Sequence, residues 1–87
     1  MKAVRYHQYG GPDVLTYEEA PIPEVRSDEV LIKVSATAFN PSDAMIRMGY
    51  LKDFLPLELP FIPSVDVSGV IEQTGEAVEG LKVGDKV

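Results

Sequence analysis

The 87-residue chain has no cysteine, no tryptophan, a single histidine, and nowhere three consecutive lysines or arginines. Without cysteine there is no disulfide, no thiolate nucleophile and no thiolate zinc site. The same absence fits a reducing compartment, so the cytoplasm is the expected location. Fourteen acidic residues against eight basic ones give a net charge of -6, which repels phosphate backbones. Neither a nucleic acid nor an anionic membrane is expected as a partner, and the acidity serves solubility. No apolar run approaches the ~20 residues needed to span a bilayer; Leu59–Val65, for instance, is broken by two prolines. Met1–Tyr6 reads as a strand punctuated by polar residues, with no apolar signal region behind it. Also missing are a P-loop, a Gly-rich dinucleotide turn, a nucleophile elbow and a zinc-ligand spacing. A domain this short buries only about 60% of its unfolded surface, so missing strands or partners weigh heavily on its stability.

What the chain does have is seven glycines and seven prolines dividing a series of short apolar runs, the pattern of an all-β sandwich or barrel. Residues 2–8 alternate, with Val4 and Tyr6 on one side and Arg5 and His7 on the other. Gly10-Gly11-Pro12-Asp13 then demands a turn, and Val14–Tyr17 reads as a second strand. Ala20-Pro21-Ile22-Pro23 belongs at an edge, because proline donates no ladder hydrogen bond. Between Glu29 and Phe39, Val30, Ile32, Val34 and Ala36 share one apolar face, which should lie across the core. Ser64–Thr74 is another strand, with Gly69 marking a bulge or bend. Gly75–Gly80 should turn the chain, and Leu81–Val83 should open a further strand.

One helix interrupts this pattern, at about 40–49. Asn40 suits the N-cap, Pro41 the first helical position, Asp43 the first turn and Gly49 the C-terminal stop. Two turns do not persist alone, so the helix must dock on the strands. Residues 50–63 read as a proline-broken loop rich in apolar groups. A loop of that length in a compact domain tends to serve function.

Several motifs resemble the medium-chain dehydrogenase/reductase superfamily, in its zinc-independent quinone oxidoreductase (zeta-crystallin-like) branch. They are Asn40-Pro41-Ser42-Asp43, Ile46-Arg47-Met48-Gly49, the stretch from Leu59-Pro60 through Pro63 to Asp66 and Gly69, Gly75, and Val83-Gly84-Asp85-Lys86-Val87. The N-terminal half follows the same order, from Met1-Lys2-Ala3-Val4 through Tyr9-Gly10-Gly11-Pro12 to Glu29-Val30-Leu31-Ile32-Lys33-Val34. The resemblance implies a mainly β fold: a partly open GroES-like β-barrel with one short helix, incomplete at its C-terminal end, with residues 1–87 forming one partial domain. It also implies a substrate-side role in an NADPH-dependent quinone or enone reductase, inactive alone because the Rossmann domain lies in other polypeptide. The small-molecule acceptor would be a quinone or an enone.

The zinc-dependent branch carries cysteine where Asn40 stands and a His-Glu pair where Val65-Asp66 stands, so the resemblance implies no metal. Asn40 resembles the branch's polar residue beside the nicotinamide, placed to bind a substrate carbonyl or the cofactor ribose; a plain helix N-cap is its other reading. Asp43 either contributes to the cofactor side or simply favours the helix N-terminus. Four residues on, Arg47 invites an ion pair with it, worth about 0.3–0.5 kcal/mol. Tyr50 offers a phenol to an active-site cleft or anchors its loop. His7 belongs on a solvated face. Two departures stand out. Ser64 occupies a position where the family commonly has glycine, so a positive φ there would be strained. Met45 replaces a frequent aromatic and leaves a more pliable wall.

Two rival readings remain. One is a non-catalytic module of the same fold, truncated and surviving as a folded or oligomeric domain; the other is a co-chaperonin. The second lacks support, since residues 12–30 form no long Gly-rich mobile loop. In either case an unfinished barrel exposes a strand edge, for which a homo-oligomer or other edge pairing is the expected cover.

Overall fold

A computed structural model describes all residues, Met1–Val87. It contains β1 (Lys2–Arg5), β2 (Thr16–Glu19), β3 (Val30–Ala38), α1 (Pro41–Arg47) and β4 (Asp66–Thr74). The strands form two separate two-stranded antiparallel sheets, β1–β2 and β3–β4. The chain is therefore mainly β with one short helix and no closed barrel, as expected of a partial GroES-like domain. It divides into two compact units, each built from two stretches of sequence: Met1–Pro21 with Phe39–Ser64, and Ile22–Ala38 with Val65–Val87.

In the first unit β1 lies against β2, with Lys2 opposite Glu19 and Arg5 opposite Thr16. The expected strand at Val14–Tyr17 starts later than its apolar residues suggested. Pro12, with its φ fixed, instead closes a 3-10 turn over Pro12–Val14, and Leu15 N–H donates to the Pro12 carbonyl. Charged side chains clasp the hairpin from outside. The Arg5 Nε–H donates to Glu18 Oε1 at 2.6 Å, and His7 Nε2 meets the same oxygen. His7 is exposed, as its position on the polar face required. Tyr6, on the opposite face, is fully buried. Its backbone exchanges two hydrogen bonds with Phe61, at 3.0 and 2.9 Å, and the two rings pack with centroids 5.8 Å apart.

In the second unit β3 and β4 pair from Val30 opposite Thr74 to Ala38 opposite Asp66. The apolar face assigned to β3 is only partly realised. Val30 and Ile32 are half-buried, but Val34 is 58% exposed and Ala36 is exposed too. The register explains the break: Val34 pairs with Gly69 and Ala36 with Ser68, leaving Ser35 as an extra residue. A bulge of this kind interrupts the alternation, and Gly69 and Ser68 supply no apolar side chain across the sheet.

Ile71 is the buried centre of this unit. The strand expected at Leu81–Val83 does not form. Gly80 and Gly84 both take positive φ, and Asp85 Oδ2 accepts from Lys82 N–H at 3.0 Å, closing a turn instead. The segment after it pairs with β4: Ile71 N–H donates to the Asp85 carbonyl, while Gly69 and Val87 exchange hydrogen bonds at 3.0 and 2.9 Å.

Gly69 is held to glycine by its pairing with β3, because a Cβ there would overlap the Lys33 carbonyl oxygen and crowd Ile32. Backbone does not yield as a flexible side chain does, so Gly69→Ala should cost about 1–3 kcal/mol. Urea denaturation reads this, and an unchanged midpoint would contradict it.

The hairpin clasp of the first unit has its own pH signature. Hydrogen bonds from Arg5, first, and then His7 hold the Glu18 carboxyl below its ordinary value of 4.5. A folded value lowered in this way gives stability that is complete above 4.5 and lost as the pH falls through the lower folded value. Glu18→Gln should therefore flatten the acid limb of the stability profile below that point. Denaturation midpoints taken from neutral to acid pH check it, and parallel limbs for wild type and variant would refute it.

Candidate active site

The candidate residues Asn40, Asp43 and Tyr50 all fall in the first unit, around α1. The helix spans Pro41–Arg47 because its ends are specified locally. Asn40 has extended backbone (φ -111, ψ 156), Pro41 provides the first helical residue, and Gly49 leaves the helix at φ +84. At Gly49 the absence of a side chain also lets the Tyr9 ring approach; a Cβ would stand 3.2 Å from its Cγ.

Asp43 is the polar centre of this unit. It is 4% exposed, and a carboxylate so deep must be hydrogen-bonded. Its Oδ2 accepts from the Asn40 N–H at 2.7 Å and from the Ser64 hydroxyl at 3.4 Å. The first bond belongs to a capping box that closes the helix N-terminus. The second joins the helix to the end of the apolar loop. Ser64 sits at φ +83, the strained conformation its place in the sequence pattern foreshadowed.

The expected Asp43–Arg47 ion pair is not made. Arg47 is buried, and its Nε–H donates to the Gly10 carbonyl at 3.2 Å while its own carbonyl accepts from Gly10 N–H at 3.0 Å. The reason is geometric. Asp43 is committed to the N-terminal side of the helix, and Arg47 is drawn to the turn at Gly10.

Tyr6 is the residue that sequence reasoning missed. Its buried hydroxyl finds no partner among protein atoms. Burial raises its pKa most, Tyr9 and Asp43 add to the rise, and Arg47 opposes it. The available signal was a tyrosine sharing the apolar face of an alternating strand with Val4.

Asn40 is half-buried and Tyr50 is 65% exposed. Tyr50 N–H donates to the Met45 carbonyl at 3.2 Å, which fixes the backbone at the helix exit and leaves the phenol outward. Near it Met45, Met48 and Leu55 are also exposed, and Phe54 is 88% exposed. The loop that holds Tyr50, Phe54 and Leu55 is anchored toward its C-terminal end. Leu57 N–H donates to the Tyr9 hydroxyl at 3.4 Å, Phe61 pairs with Tyr6, and Ser64 bonds Asp43. The middle of the loop is braced by turn bonds to its own start, Lys52 N–H to Gly49 and Leu55 N–H to Leu51. No group of three or more His, Cys, Asp and Glu residues stands together as a metal site.

The unit thus presents a capped Asn-Pro-Ser-Asp helix start on a strand framework, followed by an apolar loop. Residues 26–87 match the family described as the alcohol dehydrogenase GroES-like domain, and the chain belongs to that family. Its homologues are quinone oxidoreductases of the medium-chain dehydrogenase/reductase superfamily.

Over its whole length the chain is 44% identical to a chloroplastic quinone-oxidoreductase homolog of Spinacia oleracea, covering 27% of that protein. It is 49% identical to a chloroplastic NADPH-dependent alkenal/one oxidoreductase of Arabidopsis thaliana, covering 22% of it. Among solved structures it resembles the Escherichia coli quinone oxidoreductase complexed with NADPH, with a TM-score of 0.88 and 27% identity over 99% of this chain and 26% of that one. The chain thus spans about a quarter of the length of these relatives.

The unpartnered phenol of Tyr6 yields a direct test. An unmet buried hydroxyl carries its desolvation cost with no compensating bond, so Tyr6→Phe should leave stability unchanged or raise it by about 1 kcal/mol. A fall of the urea midpoint by more than that amount would show that the hydroxyl has a partner after all.

Proposed function

We propose that this chain provides the acceptor-side part of an NADPH-dependent quinone or enone reductase. The observation that carries the reading is the capped Asn40 at the start of α1, with Met45 exposed on the helix and Tyr50 and Phe54 exposed on the loop that follows it. The names of the relatives support it, since they act on quinones or alkenals.

An acceptor of this class is flat and apolar with one or two carbonyl oxygens. The exposed apolar side chains suit its body, and amide and phenol hydrogens suit its oxygens. In this reading the Asn40 side chain donates to the acceptor carbonyl or holds the cofactor ribose, and Tyr50 donates from the loop side. Asp43 serves the cofactor end from behind, by fixing Asn40. NADPH, when bound, supplies hydride to the activated C=C or the quinone. These residues orient the acceptor and stabilise charge growing on its oxygen. Met45 makes the wall adaptable rather than strictly shaped.

The reading is of a zinc-free reductase, because Asn40 and Val65 offer neither a thiolate nor an imidazole. The reading also places pyrophosphate binding in other polypeptide, because the 87 residues contain no Gly-rich dinucleotide turn. It further assigns a strand to the open side of β3, which pairs with β4 on one side only; in the isolated chain a second copy takes that place.

One preparation of the 87-residue chain tests these points together. Titration with NADPH should leave nicotinamide fluorescence unchanged, added quinone should not be reduced, and sedimentation should show self-association. Turnover of quinone by this chain, or a strict monomer at every concentration, would overturn the corresponding part.

A further inference from the structure

We propose that Ser64 is a positioning residue that locks Asn40 and the acceptor-side loop to one buried carboxylate. This deepens the function proposed above and rests on it for its catalytic consequence.

Three observations converge. The Ser64 backbone is at φ +83, a conformation that strains a side-chain-bearing residue and that glycine adopts freely. Its hydroxyl donates to Asp43 Oδ2 at 3.4 Å. The same oxygen accepts the Asn40 N–H at 2.7 Å, within a residue that is 4% exposed. One oxygen thus gathers the helix N-cap and the last residue of the loop.

A hydroxyl retained where backbone geometry favours glycine requires something in return. A hydrogen bond to a buried carboxylate offsets part of that strain. The bond also has a mechanical effect. The loop is already fixed through Phe61 to Tyr6 and through Leu57 to Tyr9. Ser64 links the C-terminal end of the loop to the carboxylate that holds the Asn40 backbone N–H. With it, the loop that carries the apolar wall and the Asn40 backbone keep a fixed spacing. Misplacement of about 1 Å between binding and reacting groups is enough to slow a reaction by about 10²-fold.

Ser64→Gly separates positioning from stability, because it removes the hydroxyl and the strain together. Ser64→Ala removes the hydroxyl and keeps the strain. In the full 87-residue chain, Ser64→Gly should leave the melting temperature unchanged or higher. Its Asn40 amide should nevertheless exchange with deuterium about five- to tenfold faster, as loss of one hydrogen bond predicts. Ser64→Ala should accelerate that exchange and lower the melting temperature as well.

In the reductase that contains these residues, Ser64→Gly should reduce kcat/KM for the acceptor about tenfold with the KM for NADPH unchanged. Wild-type exchange at Asn40 in Ser64→Gly would overturn the lock. Accelerated exchange with an unaltered kcat/KM would overturn its positioning role. If the wild-type protein reduces no quinone or enone, the proposed function fails instead, and amide exchange alone decides whether Ser64 holds Asn40.

Discussion

A carboxylate removed from water is unstable unless donors surround it, and Asp43 is removed almost completely. The first unit is arranged around satisfying it. The Asn40 N–H, which no intrahelical acceptor reaches, meets the carboxylate at 2.7 Å, so one bond resolves an orphan donor and a buried acceptor together. This explains how a helix of only seven residues persists. Isolated, such a segment loses to its nucleation cost; capped by Asp43 and held through Arg47 to Gly10, it gains a partner at each end. Position along the helix sorts the two charged residues. Asp43 lies in the turn where the backbone presents N–H groups, and Arg47 lies in the turn where it presents carbonyls. Each finds backbone or hydroxyl partners nearer than the other's charge.

The second unit is organised differently, around close backbone approach. Gly69 and Gly75 both face carbonyl oxygens, those of Lys33 and of Arg26 and Ser27. Glycine lets the main chains meet where a side chain would force them apart, and hydrogen bonds follow, among them Gly75 N–H to the Glu29 carbonyl at 2.8 Å. Ile71 is the one fully buried large apolar side chain this unit offers, so little hydrophobic burial underwrites it. Backbone pairing on both sides of β4, with β3 and with the segment after Gly84, therefore carries much of its order.

Features set by local chemistry were readable in the sequence. Asn40, Pro41 and Gly49 named the helix ends because capping depends on residues a few positions apart. The alternation from Val30 to Ala38 named β3, and the strain at Ser64 followed from a serine standing at a glycine position. What could not be read depended on partners distant in sequence. An Asp43–Arg47 pair follows from spacing alone, but its absence follows from Gly10 and Ser64, which lie 37 and 21 residues from their partners. The exposed Val34 likewise reflects Gly69 opposite it and the extra residue at Ser35. The segment Leu81–Val83 has a strand-like composition, yet the flanking Gly80 and Gly84 take it out of extended geometry. The place of Asn40 and Asp43 at the helix start was legible by motif, whereas the burial of the Tyr6 hydroxyl was not, because only folding reveals it.

The balance at Ser64 shows how a small domain tolerates a locally unfavourable residue. The left-handed backbone and the hydrogen bond to Asp43 act on the same few atoms with opposite signs. Neither would be informative alone, since strained serines and buried carboxylates both occur for purely structural reasons. Together they constrain one another. The hydroxyl reaches Oδ2 from a backbone that glycine would adopt more readily, and the carboxylate remains acceptable in the interior because donors come to it from both the helix and the loop. The geometry of the helix N-terminus is thus tied to a residue outside the helix, and the two have to be considered as one structural element.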